Sequence, residues 1–452
     1  MMINNTIAAI ATGAGPAALA MVRLSGPGSI KIADEIFSGM IKPSAMQSNT
    51  LHYGYIRDGG GIKVDEAMMA VFRAPHSFTS EEMVEITCHG GGAAAGAVLE
   101  TALAAGAKPA RPGEFTLRAF LNGRIDLAQA EAVADIINAR TGTAARAALE
   151  RLSGGLSREV SDIREKLMDT AARIESMIDF PEEDLPQAES NELTGNINHC
   201  QEKIERIIAG SRTAMVLKDG ARVVIAGRPN VGKSSLFNML LKEEKAIVTE
   251  TPGTTRDVLE GWIDIGGIPV RLFDTAGLRD TDDKVESHGM EKARGKLEQA
   301  DLVLLILDGS SQISPEDENL LADTEKYNRL VLVSKADLGI SSDMKKEETW
   351  LEISAITEQG LPELEKSILA KLTGGQWIDT GAASAANIRQ IELLQECLGH
   401  VDTVRKGLLE KISYELVASD LKAAIDALGQ ITGHSIGDEI LNRIFSRFCI
   451  GK

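Results

Sequence analysis

The chain has 452 residues, of which 43% are hydrophobic and 25% charged, and a formal net charge of −18. At roughly 150 residues per domain that length calls for about three domains, and the composition excludes a collagen-like or mostly disordered chain. The charge excludes a protein that grips nucleic acid by bulk electrostatics, since no segment carries an excess of Lys and Arg.

The longest uninterrupted aliphatic run, Leu302 to Leu307, falls far short of the roughly 18 residues of a membrane-spanning helix. The first charged residue is Arg23, and Gly13, Gly15 and Pro16 interrupt the apolar start, so a secretory leader is not expected. The expectation is a cytoplasmic protein with no membrane partner. Cys88, Cys200, Cys397 and Cys449 are too scattered for a C-x-x-C pair and read as reduced thiols.

Residues 1–120 read as short strands, Ala18–Leu24, Leu51–Ile56, Ala67–Phe72 and Met83–Thr87, with an Ala-rich helix over about Ala93–Ala105. Helical periodicity takes over at 121–213: Leu127, Ala130, Ala134 and Ile137 recur at spacings of three and four, as do Ile163, Leu167, Ile174 and Ile178. Leu193, Ile197, Ile204 and Ile208 carry a third helix. Residues 214–376 alternate strands with helices, the strand candidates being Arg222–Ala226, Val270–Phe273, Leu302–Leu307, Leu330–Val333 and Trp350–Ile353. That alternation predicts a parallel sheet covered by helices on both faces. Residues 377–452 are helical again over Ile388–Gly429 and Ser435–Phe448, the latter opening on a Ser-x-x-Asp capping signature. The expected fold class is multidomain, α/β and α: an α+β N-terminal domain, then a discontinuous helical domain, 121–213 with 377–452, interrupted by the α/β domain 214–376.

Gly227-Arg-Pro-Asn-Val-Gly-Lys-Ser234 fits G-x-x-x-x-G-K-S between a strand and an amphipathic helix beginning Ser235-Leu-Phe. In such a loop the backbone N–H groups of Asn230, Val231, Gly232, Lys233, Ser234 and Ser235 wrap phosphates at a helix N-terminus. Lys233 reaches the outer phosphates and the Ser234 hydroxyl binds Mg²⁺. Downstream, Thr254-Thr255 lies where a switch threonine completes the Mg²⁺ shell, which nominates Thr255 beside Ser234. Asp274-Thr275-Ala276-Gly277 ends a strand and places Asp274 near the metal. Ser334-Lys335-Ala336-Asp337 stands where N-K-x-D would, and Asp337 can accept hydrogen bonds from guanine N1–H and its amine, a donor pair that adenine lacks. Ser354-Ala355-Ile356 follows the last strand, within reach of guanine O6. Together these elements predict an inserted Ras-like GTP site. Ser334 replaces the usual Asn, and Leu278 stands where Ras-like enzymes place a water-orienting glutamine.

With these motifs, Arg111-Pro-Gly-Glu-Phe-Thr, Ala119-Phe-Leu-Asn-Gly-Arg-Ile-Asp, Gly253-Thr-Thr-Arg-Asp and the terminal Phe448-Cys-Ile-Gly-Lys resemble the MnmE (TrmE) family of tRNA modification GTPases over essentially the whole chain. The resemblance implies an N-terminal domain that binds a formyl- or methylene-tetrahydrofolate and dimerises. It implies a cytoplasmic homodimer that joins an FAD-dependent partner in a heterotetramer and acts on tRNA. The implied reaction adds an aminomethyl or carboxymethylaminomethyl group to C5 of the wobble uridine.

Arg23, Glu85, Arg124 and Lys452 resemble the family's folate contacts. Asn230 resembles its K⁺ ligand, with Thr249, Thr251 and Thr254 adding oxygens, and Glu250, Pro252 and Gly253 complete that nucleotide-side loop. Glu286 resembles the glutamate that orients water in place of Leu278, and Cys449 resembles a cysteine tied to the modification. The alternative reading is a regulatory GTPase switch in ribosome assembly, which the folate-like N-terminal domain and the Cys-Ile-Gly-Lys end disfavour.

Overall fold

The computed structural model describes residues 5–13, 15–179, 187–242, 260–274, 295–342, 344, 347–375, 386–410 and 412–452. The chain divides into two compact units: residues 1–134 with 160–168 and 421–452, and residues 135–159 with 169–420.

The first unit is built on a seven-stranded sheet in the order β3-β4-β5-β6-β2-β1-β7. Its strands are β1 (Ile7–Ile10), β2 (Leu19–Ser25), β3 (Phe37–Gly39), β4 (Leu51–Arg57), β5 (Lys63–Phe72), β6 (Met83–His89) and β7 (Lys108–Pro109). In β2 the alternation puts Ala20, Val22 and Leu24 into the core, and β6 does the same with Val84, Ile86 and Cys88. Helices α1 (Ser29–Ile36) and α2 (Gly92–Ala104) supply Ile30, Ala33, Ala95 and Val98 to that core. The opposite face of β2 and β6 therefore carries Arg23 and Glu85, which sit directly across from each other in register.

The Arg111-Pro-Gly-Glu segment opens α3 (Glu114–Leu121). Gly113 has φ +67, and a Cβ there would lie 2.5 Å from the Phe445 carbonyl oxygen, so the C-terminal helix Asp438–Phe445 approaches backbone to backbone. Phe445 and Phe448 pack with Leu127, Ala130 and Leu441. Arg118, 1% exposed, donates to Asn5 O, Glu81 and Glu114, so this buried cation is held by two carboxylates.

In the second unit, helices α4 (Leu127–Asn138), α5 (Gly142–Leu152), α6 (Gly155–Asp179) and α7 (Gln187–Asp219) precede a six-stranded sheet; α4 and α6 are shared between the units. Its order is β13-β12-β11-β8-β10-β9, from β8 (Ala221–Gly227), β9 (Glu260–Ile265), β10 (Ile268–Asp274), β11 (Leu302–Asp308), β12 (Arg329–Ser334) and β13 (Leu351–Glu352). Leu302–Leu307 is buried throughout, as expected of a central parallel strand.

The sheet is mixed, which corrects the all-parallel expectation. β9 runs antiparallel to β10 through the two-residue turn Gly266-Gly267, whose φ values of +60 and +92 suit a tight hairpin. The turn is fastened to α5, where the N-cap Thr141 hydroxyl donates to Gly267 O at 2.8 Å.

The helices α8 (Lys233–Leu240), α9 (Pro315–Thr324) and α10 (Leu361–Thr373) follow sheet strands, and α11 (Ile388–Glu410) packs along α7. The helical stretch expected over Ile388–Gly429 consists of two helices, since α12 begins anew at Tyr414 and ends at Thr432. The Ser435 cap is also corrected. Its hydroxyl donates to Asp426 O, and the last helix starts at Asp438 behind Gly437 with no side-chain cap.

Candidate functional site

Two groups of side chains carry the chemistry, one in each unit. The first is the loop between β8 and α8, at the carboxyl edge of the parallel strands where open α/β sheets bind ligands. Asn230 takes a left-handed φ of +62, which asparagine tolerates, and Gly232 at φ +104 leads into α8. Lys233, 7% exposed, folds over the loop and donates to Gly227 O at 2.9 Å and Arg228 O at 2.6 Å. The loop thus holds a buried ammonium at a helix N-terminus, the charge pattern that receives phosphate. The Ser234 hydroxyl donates to the fully buried Asp274 at 3.0 Å, joining the start of α8 to the end of β10.

At the far side of the loop, the buried Ser334 hydroxyl lies 2.6 Å from Val231 O and 3.0 Å from Leu307 O. Strand β12 is thereby bound to the β8–α8 loop and to β11. Lys335, at φ +59, pairs with Asp308 at 2.6 Å. Burial alone would raise the Asp308 carboxyl, but the Lys335 and Ser310 hydrogen bonds outweigh it and hold it below the usual carboxylate range. The Ser354 hydroxyl, wholly buried, donates to Asp337 Oδ1 at 2.6 Å, and Ser354 Oγ itself accepts from the backbone N–H of Ile356 and Thr357. Asp337 is therefore aimed by Ser354, while Ile356 stands 83% exposed beside it and Ala355 packs on the core. Ala336 N–H donates to Ile353 O, closing the two base-side segments together.

Sequence reasoning missed Arg228, whose Nε donates to the buried Asp317 at 2.7 Å. Asp317 is also the N3 residue of the Ser314 capping box of α9, so one carboxylate fastens a helix and the phosphate loop. Ser314-Pro-Glu-Asp was the available signal for the cap, but nothing in it indicates Arg228.

Thr249, Glu250, Thr251, Pro252, Gly253, Thr254, Thr255, Thr275, Ala276, Gly277, Leu278 and Glu286 lie outside the described residues. Among the described residues there is no cluster of His, Cys, Asp and Glu of the kind that holds a metal. None of the described helices is long and apolar enough to cross a membrane.

The second group lies on the N-terminal sheet. Arg23 Nε and a terminal nitrogen sit 2.9 and 2.8 Å from Glu85 Oε1, and another terminal nitrogen is 3.5 Å from Gly451 O. The guanidinium also lies 5.3 Å from the Phe78 ring centre and 5.8 Å from that of Phe115. Phe115 N–H donates to Lys452 O, so the last residues of the chain lie alongside Arg23. Arg124 donates to Phe78 O at 2.6 Å and lies 5.1 Å from the same ring. Burial, then the neighbouring Arg23, pull Arg124 below its ordinary value. The structure therefore brings Arg23, Glu85, Arg124 and the Lys452 backbone to one place, with exposed Cys449 three residues before Lys452.

The fold and the first site define a phosphate-loop nucleotide-binding protein of the GTPase class. Residues 127–449 match the model of the MnmE helical domain, and residues 6–124 match that of the GTP-binding protein TrmE N-terminus. The tRNA modification GTPase MnmE of Symbiobacterium thermophilum is 44% identical over 460 residues, covering 100% of both chains. That of Listeria welshimeri is 41% identical over 456 residues, covering 99% of each, and that of Heliobacterium modesticaldum 44% over 466 residues, covering 100% of each. The chain belongs to the MnmE family of tRNA modification GTPases.

Proposed function

We propose that this chain hydrolyses GTP in the cytoplasm and, with an FAD-dependent partner, uses a folate one-carbon unit to modify tRNA. The product carries an aminomethyl or carboxymethylaminomethyl group on C5 of the wobble uridine. The active assembly is a homodimer joined by the partner into a heterotetramer. The observation that carries the reading is the presence in one chain of two separate side-chain groups, a phosphate-type loop with Asp337 aimed by Ser354, and two arginines gathered on the Phe78 ring.

At the first receptor the Lys233 ammonium leaves its two loop carbonyls for the outer phosphates, exchanging neutral acceptors for charged ones. The backbone N–H groups at the start of α8 meet the same oxygens. Asp337, with Ser354 on Oδ1, keeps Oδ2 for the guanine N–H groups. Asp337 is exposed without a base over it; once covered by adenine its carboxylate would be left unpaired, which is the source of specificity.

The donor set fits Mg²⁺, a hard cation that takes oxygens: the Ser234 hydroxyl already stands against the Asp274 carboxylate, and Thr255 is its expected partner. Held by these residues, Mg²⁺ would supply charge neutralisation for the phosphates. Asn230, turned out by its left-handed backbone, is the described member of the K⁺ set with Thr249, Thr251 and Thr254. K⁺ supplies the positive charge that an arginine finger gives elsewhere. Glu286 orients the attacking water.

At the second receptor, Glu85 suits the N–H edge of a pterin, and Arg23, Arg124 and Lys452 suit carboxylates. Bound there, tetrahydrofolate would supply the one-carbon unit, and the exposed Cys449 lies three residues before Lys452. The acidic chain leaves most of the grip on tRNA to the partner.

Purified chain assayed for GTP hydrolysis in KCl and in NaCl tests the GTP half. Faster turnover in KCl, lost in Asn230→Ala, is expected, and equal rates in both salts contradict the K⁺ assignment. Binding of 5-formyl-tetrahydrofolate, lost in Glu85→Ala, is expected for the folate half.

A further inference from the structure

Phe78 has no place among the residues assigned above, yet its ring is shared by two guanidinium groups, Arg23 at 5.3 Å and Arg124 at 5.1 Å. Like charges do not gather on one ring without something holding them. Arg23 has a carboxylate, Glu85. Arg124 has none within ion-pair distance among the described residues; its hydrogen bond is to the neutral Phe78 carbonyl. The pocket therefore carries a positive charge that its described residues do not cancel, on a half-buried aromatic surface.

The ring is presented by a fixed loop. Its neighbours Ser77 and Thr79 are buried: the Ser77 hydroxyl donates to Glu81 O at 2.5 Å, and the Thr79 hydroxyl is 2.6 Å from that of Ser25. From the other side, Asn122 Nδ2 donates to Thr79 O at 2.7 Å, so Asn122 and Arg124 grip consecutive carbonyls on either side of Gly123. The Asn-Gly-Arg turn and the Ser-Phe-Thr loop are thus one interlocked unit. Preorganisation of this kind removes the cost of gathering two cations after the ligand arrives.

We propose that Phe78 is the organising residue of this pocket, holding Arg23 and Arg124 together as one receptor for an anionic, aromatic ligand. The proposal rests on the folate reading for the identity of that ligand, and it makes Phe78 a positioning residue acting through the two arginines. Cation–π contacts of this kind are each worth several-fold in affinity once desolvated.

The test is titration of the full chain with 5-formyl-tetrahydrofolate. Phe78→Leu is expected to weaken binding about tenfold, and Phe78→Tyr, which keeps the ring, to stay within about threefold of wild type. In an Arg124→Gln background Phe78→Leu is expected to cost much less than it does alone, because the partner is already gone. Unchanged binding in Phe78→Leu, no rescue by Tyr, or full additivity with Arg124→Gln overturns the proposal. If wild type fails to bind the folate, the folate reading falls instead. The Arg23 and Arg124 Nε–H resonances of the free chain then decide whether one ring holds both. Ring-current shifts that vanish for Arg124 and shrink for Arg23, which Phe115 still faces, in Phe78→Leu support the shared ring, and their absence in wild type overturns it.

Discussion

The Ser334 hydroxyl stands 2.6 Å from the Val231 carbonyl oxygen, tying the strand that leads to Asp337 directly to the glycine-rich loop before α8. One hydroxyl proton serves either this carbonyl or that of Leu307 at 3.0 Å, so the bolt is a single hydrogen bond shared between two acceptors. Ser334 at the usual Asn position therefore holds protein to protein rather than protein to base. Ser334→Ala leaves both buried carbonyls short of a donor and should weaken GDP and GTP alike by about 5- to 30-fold. Titration with a fluorescent guanine nucleotide measures it. A loss confined to guanine over other bases would mean that the hydroxyl reads the base instead.

Asp337 should act in the opposite manner. Removing its carboxylate in Asp337→Ala deletes two charge-assisted hydrogen bonds, an expected loss of about 100-fold or more in GTP affinity. The preference for GTP over ATP should collapse with it. Competition between the two nucleotides is the measurement, and retained preference would place guanine recognition elsewhere.

On the N-terminal sheet, His89 Nδ1 lies 2.7 Å from Asp65, and the Asp65 hydrogen bond, then its charge, raise the His89 pKa, with Glu66 adding slightly. A raised histidine stabilises the fold fully below its unfolded value of about 6.5 and loses that contribution as pH climbs through the folded value. The thermal midpoint of wild type should exceed that of His89→Gln slightly at pH 6, with the gap shrinking by pH 9. A gap that widens with pH would contradict the assigned charge state.

Alkylation should distinguish the cysteines. Cys88, Cys200 and Cys397 are buried, and burial pushes the Cys397 thiol up to about 12, whereas Cys449 is exposed. Iodoacetamide on the native chain should modify Cys449 first, leaving the other three until unfolding. Mass spectrometry of the peptides reads the order directly.

The phosphate loop was legible because its chemistry is local: Gly227 to Ser234 needs only a strand before it and a helix after it. Strand β9 was missed although Ile263 and Ile265 alternate with Trp262 and Asp264, because the run is short and its signal is the Gly266-Gly267 turn. Ser435 carries a valid capping pattern, but tertiary structure overrode it when the chain turned back and spent the hydroxyl on Asp426. Arg228 with Asp317, and Phe78 with Arg124, are contacts between segments far apart in sequence, which neither periodicity nor spacing encodes. Arg23, Glu85, Arg124 and Lys452 were named through resemblance alone; the register of β2 on β6 sets the first two directly across from each other.

The central claim is that GTP turnover and a folate-type pocket in one chain serve modification of tRNA. Its most direct test is mass spectrometry of wobble uridine in tRNA from a strain lacking this protein, complemented with wild type, Lys233→Ala or Glu85→Ala. The account predicts that the C5 modification is lost on deletion, returns with wild type, and stays absent with either variant. Wobble uridines unchanged by the deletion, or fully restored by both variants, would contradict it.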